Sequence, residues 1–444
     1  MKEKREKLTL QEQLKKRKYH APSRIVTWLY NAIGSTVLMP KYNPHIEVID
    51  DIRQEKGACF IVWNHLSRLD HLYTMKAAYP RRYNMVAGYS EFFRGHLHTV
   101  FKLNQILPKK VFTVDRDGFK AMNSIIAQGG MIAFSPEGMS SIYGVNQPVV
   151  PGSGKLLKHY GVPVYFLQMR GQYLTSTKHY LEERKGRTEA RLYKLFTAEQ
   201  LSQMSGEEID DKLNEAFRHD DYAWGIQNHI KWNMHGRSCE RLHEICYKCP
   251  RCGKDLTMHG QGDTIRCSAC GNGARMNDYY EFEPFDDTCV LPETPSKWVE
   301  LERVSIIDEI RKDPSYAFTV HVKVGYLPPY KYLNKMKTSE ECGEGEMTLD
   351  HTGIHFRGTK LGAPWSFDLS YETYYSLVIM TSTEKFSFYI NADFYEFTPA
   401  DSAAGKMLLI TEEMHRYHYN IWKNFPWNDW MYEGKELGID KKKA

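Results

Sequence analysis

The sequence has no long apolar run, and no stretch reaches the roughly 18 uncharged apolar residues that a membrane-spanning helix needs. No secretory leader is expected, because the first charged stretch leads into Leu8, Leu10 and Leu14 and not into an apolar core with a small-residue cleavage site. Net charge is also scarce: +4 over 444 residues does not imply a nucleic-acid partner. No internal repeat or low-complexity tract is evident. A disulfide framework is missing too, since five of the nine cysteines crowd into residues 246–270, a local metal pattern that points to a reducing compartment. These absences place the protein in the cytoplasm or peripherally on the cytoplasmic face of a membrane.

What is present is a globular composition, 42% hydrophobic and 26% charged, long enough for several domains. The charge is uneven. Residues 1–24 carry nine Lys or Arg against three acids, a local balance of +6 that reads either as a solvated start or as attraction to anionic lipid headgroups. From Ile25 to Met39 apolar residues recur at helical spacing, with Ser23 as the cap and Pro40 as the stop. Such a stripe packs on a core or, given Trp28 and the basic run before it, lies in a membrane interface.

Apolar runs at Ala58–Trp63, Met85–Ala87, Val111–Val114, Met131–Phe134 and Val162–Met169 then alternate with helical stretches at 68–78, 91–104, 119–128 and 153–160. That alternation predicts a mostly parallel sheet covered on both faces, with its chemistry at the carboxyl ends of strands. Charged helices follow to about Asn233, including a capping box at Ser205 and Glu208. After the cysteines, Pro292, Pro295 and an acidic stretch read as a linker. Alternating runs over 316–395 and a final helix at 400–423 predict a β-rich unit that resembles a pleckstrin-homology-like barrel.

The chemistry is carried by strand ends. Trp63-Asn64-His65-Leu66-Ser67-Arg68-Leu69-Asp70 leaves a strand and enters a helix, so Asp70 lies near enough to reach back to His65. A carboxylate on one ring nitrogen leaves the other free as a base toward an alcohol. A second strand ends in Ser135-Pro136-Glu137-Gly138-Met139-Ser140-Ser141, a third block ends at Arg116, and a fourth begins Gly161-Val162-Pro163-Val164. Alone, a His and an Asp five residues apart mean little.

In this order, over residues 45–185, the four blocks resemble the glycerol-3-phosphate and lysophosphatidate acyltransferase family, whose signatures are N-H-x-S-x-x-D, a block ending in Arg, P-E-G-T-R-S and V-P-V. The resemblance implies an O-acyltransferase of phospholipid biosynthesis. His65 would be its general base and Asp70 the partner that orients it. Asn64, Ser67, Arg116, Glu137 and Gly138 would bind substrate, with Arg116 on a phosphate. The donor would be acyl-CoA or an acyl carrier protein thioester, and the acceptor a lysophospholipid at a membrane surface. Met139-Ser140 stands where the family has Thr-Arg, so a phosphate-binding arginine is missing, and Arg116, Lys109 or Lys110 is left to carry that contact unless the acceptor differs.

Cys249-x-x-Cys252-Gly and Cys267-x-x-Cys270-Gly are two knuckles separated by 14 residues, the spacing of a zinc-ribbon with a structural zinc. Iron is the rival metal and Cys246 a rival ligand. The chain therefore reads as a basic N-terminus and amphipathic helix (1–40), an α/β acyltransferase domain (41–235), a zinc-ribbon (240–285) and a β-rich domain with its helix (300–425). Two alternatives stay open: acyl transfer to a different acceptor, and a ribbon-based binding module with an inactive acyltransferase domain.

Overall fold

The computed structural model describes residues 8–334 and 337–419. Helix α1 (Leu10–Lys16) opens on a reciprocal cap between Thr9 and Glu12, and α2 (Arg24–Ile33) opens on the Ser23 hydroxyl, which accepts the Val26 N–H. The helix expected from Ile25 to Met39 instead ends at Ile33 and passes into one wider turn, Gly34–Leu38. At that junction a Cβ on Gly34 would sit 2.5 Å from the Met75 methyl, so the missing side chain is what allows the chain to pass so close. No residue of α2 is buried. Ile25, Trp28 and Ile33 of α2 and Val37 of the turn after it face outward, 72%, 56%, 53% and 66% exposed, while Tyr30 packs on the core and stacks on His71.

The first unit continues through β1 (Pro44–Val48), β2 (Cys59–Trp63), α3 (Asp70–Ala78), β3 (Tyr83–Gly88), α4 (His98–Leu103), β4 (Leu107–Lys109), α5 (Arg116–Ala127), β5 (Met131–Phe134), α6 (Ser153–Tyr160), β6 (Val164–Arg170), α7 (Gln172–Thr175) and β7 (Thr188–Phe196). Helices α8 (Ala198–Gln203), α9 (Gly206–Phe217) and α10 (Asp221–Gln227) close it, and α9 starts on the Ser205–Glu208 capping box. The sheet order is β1-β7-β6-β2-β5-β3-β4, and every pair is parallel except β6 with β7. All residues of β2 and β5 are buried, as central parallel strands require. Val111–Val114 is not a strand: the short β4 lies just before it, and 111–114 forms the loop into α5, where Phe112 adopts a φ of 52°.

A four-stranded antiparallel sheet follows, β8 (Met258–Gln261), β9 (Thr264–Cys267), β10 (Gly273–Met276) and β11 (Phe282–Pro284). The stretch read as a linker is in its second half a helix, α11 (Pro295–Lys312), capped by the Thr294 hydroxyl with Pro295 at its first position. It escapes a hydrophobicity reading because Glu300, Glu302 and Arg303 are among its buried residues.

The C-terminal unit is one seven-stranded antiparallel sheet built from β12 (Ala317–Tyr326), β13 (Glu340–Asp350), β14 (Gly353–Lys360), β15 (Ala363–Leu369), β16 (Val378–Ile379), β17 (Phe386–Ile390) and β18 (Asp393–Pro399). It is followed by α12 (Ala404–His418); residues 420–423 of the expected helix lie outside the described residues. Arg303 of α11 is buried against α12, its guanidinium donating to Glu413 at 2.9 Å and Glu412 at 2.8 Å. Breaking a buried pair from one side strands the other charge. Arg303→Met is therefore expected to lower stability by roughly 3–5 kcal/mol in urea unfolding, and an unchanged midpoint would contradict this reading of the helix pair.

Candidate active site

The carboxyl end of β2 runs into a loop held by hydrogen bonds at the Asn64 amide, at His65 Nδ1 and at the Ser67 N–H. Asn64 is buried and extends the pairing of β2 with β6 through its side chain: its amide donates to the Met169 carbonyl (2.9 Å) and accepts the Met169 N–H (2.7 Å). Both ends of the amide are used on backbone, so Asn64 holds the strand end. His65 follows, 29% exposed, with Nδ1 2.8 Å from the Asp70 carboxylate. Asp70 begins α3, is 1% exposed, and also accepts the Ser67 N–H at 3.1 Å from each oxygen. Burial pushes the Asp70 carboxyl above its usual range, opposed by His65 and the backbone N–H groups of Ser67 and Leu66. Ser67 is buried, and its hydroxyl accepts the Leu69 N–H, which shapes the turn.

The turn after β5 meets this loop backbone to backbone. Ser141 N–H donates to the His65 carbonyl at 2.6 Å, and His65 N–H donates to the Glu137 carboxylate at 3.1 Å. Glu137 is fully buried and takes the Gln147 N–H as well, at 3.4 Å. Burial raises its carboxyl well above the usual range, against those two N–H groups. Gly138 has a φ of 79°, and a Cβ there would crowd Phe112, Val150 and Val111, so the tight turn needs glycine on two counts.

The structure thus joins His65, Asp70, Ser67 and Glu137 in one hydrogen-bonded set, with Gly138 beside it. Among the described residues nothing bonds to His65 Nε2. The neighbouring His71 is bonded to the Tyr30 hydroxyl, and burial lowers it to about 4, so it stays neutral.

The cations differ in what they are bonded to. Arg116 is the exposed first residue of α5, without a side-chain partner among the described residues. Lys109 and Lys110 spend their ammonium groups on carbonyls: Lys109 on those of Lys110 and Thr113, Lys110 on that of Ala392. The cation brought to the Glu137 turn is Lys178, which sequence reasoning missed. It is buried, and its ammonium donates to the Ser140 carbonyl at 3.0 Å. Burial alone pushes it down to about 7. The available signal was the polar run Thr175-Ser176-Thr177-Lys178-His179 soon after β6, at the sheet edge where such folds bind ligands.

The four knuckle cysteines also converge. The sulfurs of Cys249, Cys252, Cys267 and Cys270 all lie within 4.8 Å of one another, with Cys249–Cys270 at 3.6 Å and Cys252–Cys267 at 3.9 Å. Metal–sulfur bonds of about 2.3 Å in a tetrahedron put sulfurs about 3.8 Å apart, so the set fits one zinc or one iron. Cys246 is not part of it; its sulfur faces the Pro295 carbonyl. With four sulfur ligands no coordination position is open, and a bound ion would pin the β-sheet of the ribbon.

No family model matches the sequence, and no curated protein does. Among solved structures the chain is similar to the 1-acyl-sn-glycerophosphate (LPA) acyltransferase PlsC from Thermotoga maritima, with a TM-score of 0.37 and 16% identity, over 44% of this chain and 78% of that one. A likeness that slight leaves the chemistry to rest on the residues themselves. For the ribbon, elemental analysis is expected to give one zinc per colourless chain, with metal and thermal stability both lost in Cys252→Ser/Cys270→Ser. A red, iron-loaded protein would discard zinc.

Proposed function

We propose that the chain is an acyltransferase working at a membrane surface, transferring an acyl group from a thioester to the hydroxyl of a lysophosphatidate-like acceptor. The observation that carries the reading is the His65–Asp70 pair at a strand's carboxyl end, its Nδ1 committed to a buried carboxylate and its Nε2 without a partner among the described residues. Asp70 fixes the tautomer with Nδ1 as donor, which leaves the Nε2 lone pair free. There it takes the acceptor's hydroxyl proton as the oxygen attacks the thioester carbonyl. The C–O bond forms and the C–S bond breaks. The proton then passes from His65 to the departing thiolate, so the enzyme ends unchanged. Acyl-CoA and acyl carrier protein both supply such a thioester.

The membrane placement is supported by α2, whose exposed apolar stripe follows the basic residues Lys15, Lys16, Lys18 and Arg24. No helix among the described residues is long and apolar enough to cross a bilayer. Acyl transfer from both donors to lysophosphatidate is the test. His65→Ala and Asp70→Asn are expected to lose at least about a hundredfold in kcat/KM. A native protein inactive with either donor would sink the lysophosphatidate assignment.

A second reading, transfer to a different acceptor, is kept open by Ser140. Lys178 is the residue that decides between them. If its ammonium meets the acceptor phosphate, Lys178→Met raises KM at least about tenfold for phosphate-bearing acceptors and leaves phosphate-free ones unchanged. Because burial holds Lys178 near 7, it loses its proton as pH rises through that value. KM for the phosphate acceptor should then climb above about pH 7 in the native protein and stay flat in the variant. Identical pH profiles would remove Lys178 from the acceptor site.

A further inference from the structure

Beside the first half of α2 lies a cavity of about 640 Å³ that the acyl-transfer chemistry does not use. Met131, which lines it, is the first residue of β5 and pairs with Cys59 at the start of β2, so the cavity lies at the amino edge of the sheet and His65 at the opposite edge. Arg24 and Trp28 of α2 form one wall, Arg81 and Arg82 another, and the Gly129-Gly130 turn a third. Three arginines line the cavity and no acid does.

The arginines are not equivalent. Arg81 is spent on structure, donating to the carbonyls of Ile52, Glu55 and Gly57. Arg82 uses one nitrogen on the Pro22 carbonyl at 3.2 Å. Arg24 has no side-chain partner among the described residues. Two guanidinium forks are thus presented together without a carboxylate, the arrangement that suits phosphate oxygens. A Cβ on Gly129 would meet nothing within 4 Å, so the third wall stands open.

The cavity is continuous with the exposed stripe, because Trp28 belongs to both. Before α2, His20 and Pro22 accept bonds from Asn84 and Arg82 near the cavity. Beyond it, Lys41 and Tyr42 bind Glu183, which also holds Arg68 in the His65 loop. Helix α2 alone is about 15 Å long. The segment from His20 to Tyr42 therefore runs from the arginine cavity toward the residues that hold the His65 loop.

We propose that this cavity is a headgroup clamp for an anionic phospholipid of the membrane, distinct from the acceptor site, with Arg24 and Arg82 holding the phosphate and the acyl chains lying along Trp28 and the α2 stripe. The inference rests on the membrane-surface reading above and adds a second lipid site that orients the enzyme. Soluble phosphate would gain nothing from the Trp28 mouth. A nucleic acid would need more than two free arginines.

The test is partition of the full-length protein onto phosphatidylcholine vesicles with and without phosphatidylglycerol. Arg24→Gln/Arg82→Gln is expected to weaken binding to the anionic vesicles on the order of thirtyfold, from about tenfold per two-thirds of the charge removed, and to leave neutral-vesicle binding as it was. Lys120→Gln/Lys312→Gln, the same charge change at exposed sites elsewhere, should leave both near native values. The clamp is overturned if the native protein binds no vesicles, if the arginine variant behaves as native, or if the lysine control loses as much. Arginine-dependent binding of inorganic phosphate or of a DNA duplex as tight as that of the vesicles also overturns it. Partition needs no turnover, so assaying the same proteins on detergent-dispersed lysophosphatidate separates the two readings: a chain held by its arginines that transfers no acyl group to lysophosphatidate refutes that acceptor and keeps the clamp.

Discussion

Asp70 is 1% exposed, and its carboxylate oxygens are held by the His65 ring and the Ser67 N–H. A carboxylate removed from water is costly unless its lone pairs are filled, so its partners have little freedom to move. That one constraint fixes the loop from Asn64 to Leu69, the direction of the imidazole, and the start of α3. The Glu137 turn then has a defined partner, because the His65 backbone offers one donor and one acceptor to it. The candidate site is thus built from buried polar groups bonded across two turns at the carboxyl edge of an apolar sheet.

The later units buttress this edge from outside. The four-stranded cysteine-bearing unit is joined to the first unit by the Tyr280 hydroxyl, which donates to the Leu174 carbonyl and accepts from the buried Arg184. Helix α11 ties three parts together through Ser296 to Asp220, Trp298 to the Lys248 carbonyl, and Arg303 to α12. The C-terminal sheet reaches the loops around the site itself: Lys110 donates to Ala392, the Leu333 N–H to Phe93, and the Ser382 N–H to the carbonyl of Lys178. Substitutions in the C-terminal unit can therefore move the Lys178 ammonium without touching any reacting atom.

Residues whose local chemistry decides their structure were readable in the sequence. Ser23 and Ser205 cap helices where their neighbours said they would, and Met131–Phe134 and the helix at 153–160 fall where their apolar patterns put them. The knuckle cysteines converge because each C-x-x-C turn is local and a short hairpin joins them. What failed depends on tertiary partners. Strands β1 and β7 lie at or near one edge and are only partly buried, so their patterns are weak. Helix α11 hides Arg303 in ion pairs made by α12, over a hundred residues away in the chain, and Glu302 against the Lys248 N–H. Lys178 owes its place to Ser140 and Ser382, and no motif contains all three.

The central claim is that His65 Nε2 is the atom the acceptor hydroxyl meets. A crystal structure of the native protein with lysophosphatidate and no thioester tests it directly, since no turnover occurs without a donor. The account predicts the free hydroxyl within hydrogen-bond distance of His65 Nε2. An acceptor bound elsewhere, with Nε2 still facing solvent, would contradict it.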